Sequence, residues 1–197
     1  MKLMQRSLPS LLFSLGLLAP ASAQFSREGG LHAMLGGGYL EEPATGYIFG
    51  QLGWTPYEDA AFAHTFFLEG LFHSDDSQLD FIGPGGFVLF REDADLVFAN
   101  ITGNYQLEAK IAEPVSLYGG AGAGFELVSI NDRFDESLDE DVNFLAQVFA
   151  GIRIEITQGL QITAGIRRIF REDFSLLGDQ FITEDAWGYE FGIGFRF

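Results

Sequence analysis

Tyr189-Glu190-Phe191-Gly192-Ile193-Gly194-Phe195-Arg196-Phe197 closes the chain, and the architecture can be read outward from these residues. Tyr189, Phe191, Ile193, Phe195 and Phe197 are large and apolar, while the residues between them are small or charged. Successive side chains of an extended backbone leave opposite faces, so this alternation predicts a β-strand with one apolar side. The strand stops on an aromatic residue with no polar tail. A soluble protein gains little by placing such a strand at a fraying terminus. A membrane-spanning barrel needs one there to close its last seam.

The other end of the chain agrees. Lys2 and Arg6 precede an apolar stretch from 8 to 19, and Ala21-Ser22-Ala23 fits a small-residue cleavage pattern before Gln24. This predicts a signal peptide over 1–23, cut between Ala23 and Gln24, and a single domain over 24–197. The apolar stretch is too short to span a bilayer as a helix. No later segment is a continuous apolar run of that length, so any membrane insertion falls to strands. The chain has no Cys, which excludes disulfides and a lipoprotein anchor.

Acidic residues number 28 against 11 basic ones, a formal net charge of −17. Loss of Lys2 and Arg6 with the leader makes the mature chain more acidic still. Nucleic acid is therefore excluded as a partner, because its binding needs Lys and Arg to displace counterions. An acidic excess often signals disorder, but 15% aromatic content and 25 glycines argue for a fold.

Eight segments show a period of two: 30–40, 46–54, 62–73, 95–107, 115–128, 142–156, 160–170 and 187–197. The connections between them alternate in kind. Those at 55–61, 108–114 and 157–159 are short, whereas those at 74–94, 129–141 and 171–185 are long and acidic. Only the first outer connection, 41–45, is short. Tight turns on one side and long loops on the other are the plan of outer-membrane barrels. The acid falls where that plan puts water: Asp75, Asp76, Asp80, Glu92 and Asp93 in one connection, Asp132, Asp135, Glu136, Asp139, Glu140 and Asp141 in the next, Glu172, Asp173, Asp179, Glu184 and Asp185 in the third.

The rival architecture is a soluble up-and-down barrel or sandwich, which needs a polar outer face. Here the face opposite the apolar one is rich in glycine, with isolated charges. Glycine suits a crowded interior and makes a poor solubilising surface. The fold class expected is an all-β, eight-stranded antiparallel up-and-down transmembrane barrel. Its predicted inward set includes His32, Tyr118 and Gln147 and a charge network of Glu69, Glu126, Arg153, Glu155, Arg167, Glu190 and Arg196. An unpaired buried ion costs about 3–5 kcal/mol, so these charges should pair and plug the lumen. Tyr39, Trp54, Tyr57, Phe72, Phe90, Tyr105, Phe170 and Trp187 fall near predicted strand ends, where aromatic girdles sit.

Asn104-Tyr105, the run Leu117-Tyr118-Gly119-Gly120-Ala121-Gly122-Ala123-Gly124, and Gly194-Phe195-Arg196-Phe197 carry a resemblance. The chain resembles the small eight-stranded outer-membrane barrels: the outer membrane protein A transmembrane domain, the opacity-type adhesins and the W-type porins. The resemblance implies that Phe197, supported by Tyr189, Phe191, Ile193 and Phe195, is the signal read by the outer-membrane barrel assembly machinery. It also implies outer-membrane lipid as surroundings and an outer-membrane address.

No cofactor or metal site is expected. The Gly120–Gly124 run lacks the dinucleotide-loop spacing and no helix follows it. The acidic stretch 132–141 lacks the Asp/Asn ladder with central Gly of an EF-hand. A rim hydrolase would need His73 with Ser74 and Asp75, yet adjacent strand residues point oppositely, so no enzyme is expected. The function expected is structural, or adhesin-like interaction of the loops with an unknown external ligand. The alternatives are a porin-like passage for small apolar solutes and, less favoured, a lipid-modifying rim enzyme.

Overall fold

The computed structural model describes residues 30–59, 61–82, 88–131, 137–172, 174–176, 179–181 and 185–197. Within them, side chains are described outside 76–82, 88–95, 130–131, 137–139, 174–176 and 179–181. Ala23 and Gln24 therefore lie outside the described residues, as do Asp132, Asp135, Glu136, Asp173 and Glu184.

Ten strands follow one another: β1 (Gly30–Leu40), β2 (Thr45–Glu58), β3 (Phe62–Ile82), β4 (Val88–Ala112), β5 (Val115–Asn131), β6 (Ser137–Glu155), β7 (Leu160–Arg171), β8 (Phe174–Leu176), β9 (Asp179–Phe181) and β10 (Ala186–Arg196). All but β8 and β9 form one closed antiparallel barrel, in which each strand pairs with its neighbours and β10 returns to β1. The two short strands form a separate hairpin in the last outer connection.

The closing seam uses the C-terminal stretch. Met34 pairs with Gly194, Gly36 with Gly192 and Tyr39 with Tyr189. The N–H of Phe197 donates to the Leu31 carbonyl at 2.8 Å, so pairing continues to the last residue. The alternation becomes a division of faces. Along β10, Ala186, Gly188, Glu190, Gly192 and Gly194 are buried in the lumen, while Trp187, Tyr189, Phe191, Ile193 and Phe195 are exposed outside. Inward glycines make room for large side chains from across the lumen. A Cβ on Gly165 would lie 2.5 Å from the Tyr118 hydroxyl and 2.8 Å from the Ala150 carbonyl oxygen.

Side-chain oxygens build the short inner turns. The Asp59 carboxylate accepts from the N–H groups of Ala61 and Phe62, each at 2.7 Å, and these two bonds hold its carboxyl below the usual value. Thr157 Oγ1 accepts from Leu160 N–H at 3.2 Å in the β6–β7 turn.

Two expectations about strand ends are corrected. Residues 74–82 and 88–94 are not a loop: β3 and β4 stay paired from Phe62–Ala109 outward to Phe81–Phe90 and, after a register shift, at Ile82–Val88. Charged residues read as loop in the sequence, but backbone pairing, open to any side chain, carries these two strands past the last pairing of β3 with β2. The other correction lies at the inner end, where β4 runs to Ala112 and β2 to Glu58, the latter across an irregularity between Trp54 and Tyr57. The Tyr105 hydroxyl meets His64 Nδ1 at 2.7 Å, within a row of rings that includes Tyr57 and Phe66.

Candidate functional site in the barrel lumen

The lumen holds stacked tiers of ions, and the central tier is the most completely bonded. Glu69 comes from β3, Arg167 from β7 and Glu190 from β10; all three are buried. Arg167 lies between the two carboxylates. Its Nη1 and Nη2 donate to Glu69 Oε1 and Oε2 at 2.7 and 2.9 Å, and its Nε donates to Glu190 Oε2 at 2.6 Å. Such charge-assisted forks are the strong class of hydrogen bond.

Neutral donors complete the shell. Gln51 Nε2 donates to Glu69 at 2.7 Å and Gln147 Nε2 reaches it at 2.9 Å. The Tyr47 hydroxyl donates to Glu190 at 3.3 Å. The Arg167 guanidinium also lies over the Tyr47 and Phe49 rings, at 5.5 and 5.3 Å. An apolar cluster that includes Leu40, Leu71, Leu145 and Ile169 packs beside this tier.

Toward the inner mouth, Arg153 pairs with Glu108, and both are buried. Farther in, Glu58 joins Arg196 to Lys110, the latter at 2.6 Å. At the outer mouth, Arg171 Nε stands 3.2 Å from Glu126 Oε2, and Arg171 Nη2 is 2.9 Å from His73 Nε2. The outer tier is less tied than the central one. His73 Nδ1, Asn100 Oδ1 and Asn143 Nδ2 are buried there with no hydrogen-bond partner among the described residues.

The expected network is thus divided. Glu69, Arg167 and Glu190 meet directly, whereas Arg153, Glu126 and Arg196 each pair with a residue outside the predicted set. Glu155 does not join: it ends β6 exposed at the inner turn, and the Glu108 side chain holds Arg153 instead. His32, Tyr118 and Gln147 are buried in the lumen as expected of them. Glu108, Arg171, Glu58 and Lys110 were missed. Glu108 continues the inward series Thr102, Asn104, Gln106, and Arg171 continues Arg167 and Ile169; extending the period by one step finds both.

His73 is buried against Phe98, the rings stacked 4.4 Å apart, while Ser74 is exposed on the opposite face. The imidazole turns away from the hydroxyl it would have to activate. Among the described residues, no three His, Asp or Glu side chains converge as metal ligands.

The terminal aromatic series stands on the outside of the barrel. Tyr189, Phe191, Ile193, Phe195 and Phe197 are each about half exposed, within a wall that also exposes Leu35, Leu52, Leu68, Ile101, Phe125 and Ile152. Large apolar side chains cover the surface, and ions fill the inside.

No family model and no curated protein sequence matches the chain. Solved structures do resemble it. Neisserial surface protein A is 13% identical with a TM-score of 0.54, over 86% of this chain and 96% of that one. A major outer membrane protein from Thermus thermophilus is 14% identical with a TM-score of 0.52, over 86% of this chain and 99% of that one. The fold is that of the small eight-stranded outer-membrane barrels.

Proposed function

We propose that this chain is an outer-membrane protein with a sealed lumen, serving the envelope as a structural element and meeting external partners through its acidic outer extensions. One observation carries the reading: a closed barrel whose outer wall is apolar and whose inside is packed with paired ions. That distribution inverts a soluble barrel and suits lipid outside. The paired tiers oppose passage of apolar solutes, which would have to displace charge-assisted bonds to cross.

The interaction part rests on β3–β6, which continue past the outer ends of β2 and β7. Pairing of β3 with β2 stops at His73–Tyr47, but pairing with β4 goes on to Ile82. This projecting sheet carries Asp75, Asp76, Asp80, Glu92, Asp93, Asp139, Glu140 and Asp141. A surface so charged attracts cationic partners within a Debye length, about 8 Å at physiological salt. The test displays the chain on whole cells and measures adhesion to polylysine-coated and neutral surfaces. Adhesion to polylysine should rise with display and fall when Asp76, Asp80, Asp139 and Glu140 are changed to Asn or Gln. Equal adhesion of both variants would sink the interaction part.

A further inference from the structure

Arg168 breaks the rule that holds over the rest of the outer wall. It leaves β7 outward, between Ile166 and Phe170. Among the described residues between the two rims, the other outward side chains are apolar, aromatic or small, apart from His64, which is bonded to Tyr105 near the inner end. An Arg facing lipid is costly at the bilayer midplane and nearly free at the interfaces. Its depth is therefore informative. Arg168 is in register with Trp187, close to the outer end of β10.

Its neighbours hold the guanidinium flat. The group lies 5.0 Å over the Phe170 ring and 5.4 Å over Trp187, and one Nη2 bond runs to Asp185 Oδ2 at 2.8 Å. Both side chains of the ion pair are near 40% accessible, so the pair leaves part of the guanidinium uncovered. Inside the barrel, the adjacent Arg167 clasps a carboxylate on each of two edges. Arg168 clasps one; its Nε is buried without an acceptor among the described residues, so the accessible edge is that of the terminal nitrogens.

We propose that Arg168 is a docking point for the phosphate of an anionic lipid in the outer leaflet, with Phe170 and Trp187 fixing the plane of the guanidinium. The inference rests on the membrane reading above. A planar guanidinium matches phosphate through two parallel N–H bonds, and rings that pre-set its orientation reduce the rotamer entropy lost on binding. At the hydrocarbon boundary water is scarce, so its remaining donors need acceptors from the lipid. Exposed charges beyond about 8–10 Å are largely screened at physiological salt, so the carboxylate with which a lipid phosphate competes directly is Asp185.

Trp187 reports on the site directly, since Trp54 is the only other tryptophan. The full chain carrying Trp54→Phe is reconstituted in phosphatidylcholine vesicles with a minor fraction of brominated phosphatidic acid or, at the same fraction, brominated phosphatidylcholine. Quenching of Trp187 by the phosphatidic acid should exceed that by phosphatidylcholine about threefold. Arg168→Gln should remove the difference and Arg168→Lys keep part of it. Asp185→Asn, which lifts a competing carboxylate, should enlarge it. An equal ratio in the Arg168→Gln protein and its parent overturns the proposal. So does an Asp185→Asn ratio that stays level or falls, a readout that survives if Arg168→Gln fails to fold. Displacement of the bromolipid by inorganic phosphate would assign the site to a free anion and overturn the lipid part. Loss of quenching by both lipids would instead bring down the membrane reading itself.

Discussion

Arg167 is where the lumen has most to lose. The guanidinium neutralises one of two buried carboxylates and hydrogen-bonds both. Removing it leaves Glu69 and Glu190 close together with no cation, and breaking a buried pair from one side costs about 3–5 kcal/mol. Arg167→Met should therefore lower the urea midpoint of the refolded barrel more than Glu190→Gln, which leaves Arg167 its bonds to Glu69. The triple variant Glu69→Gln, Arg167→Met, Glu190→Gln should recover much of the loss, because the uncompensated charges go with the cation. Equal midpoints for the single variants would contradict the geometry. A second residue-level effect belongs to Asp59, outside the barrel wall. Its carboxylate form is the one bonded by the Ala61 and Phe62 N–H groups, so its folded pKa lies below the unfolded one. Its contribution is thus present above the ordinary carboxylate range and is lost as pH falls through the depressed value. The difference in urea midpoint between the parent and Asp59→Ala should shrink as the solution is acidified through that range.

Strands were legible in this sequence because one face is apolar and exposed while the other holds packed ions, so each alternate residue is under an opposite demand. Their ends were not. Past the last pairing of β3 with β2 the apolar alternation stops, and Asp75 to Asp80 could belong to loop or strand equally well. Glu108 and Arg171 were lost to the same uncertainty, each lying just past a predicted strand end. Glu58 was hidden differently, by the irregularity between Trp54 and Tyr57 that breaks the alternation. Glu155 shows the converse error: it is the last residue of β6, where alternation no longer carries burial, and its side chain is exposed. The last strand supplies a test at this scale. Phe197 is tied by its backbone N–H to Leu31, while its side chain is 57% exposed on the outer wall. Phe197→Ala keeps that bond and gives up only outward surface, so the midpoint of protein refolded in vitro should move by about 1 kcal/mol or less. A proposed role in assembly predicts a much larger effect in cells, read as the fraction of heat-modifiable barrel in the outer membrane. Parallel losses in both assays would make Phe197 a stability residue and no signal.

Considered whole, the molecule is a barrel whose width exceeds what its backbone needs and is taken up by a few long side chains. An eight-stranded interior is just wide enough for side chains to fill. Here inward glycines such as Gly122, Gly165 and Gly192 add space from one side, and Glu69, Gln147, Arg167 and Glu190 occupy it from the others. On the sealed-lumen proposal the seal is made of ions rather than of backbone, and it can be removed without rebuilding the wall. Planar-bilayer recordings of the refolded chain should show no steady channels. Truncating Glu69, Arg167 and Glu190 together to Ala removes the bonded tier with no net cation left behind. That variant should conduct small ions in discrete steps while keeping its heat-modifiable mobility. Steady channels from the unaltered chain would overturn the sealed lumen. A silent but folded triple variant would move the seal elsewhere, to the Arg153–Glu108 pair below or to the Arg171–Glu126 pair above.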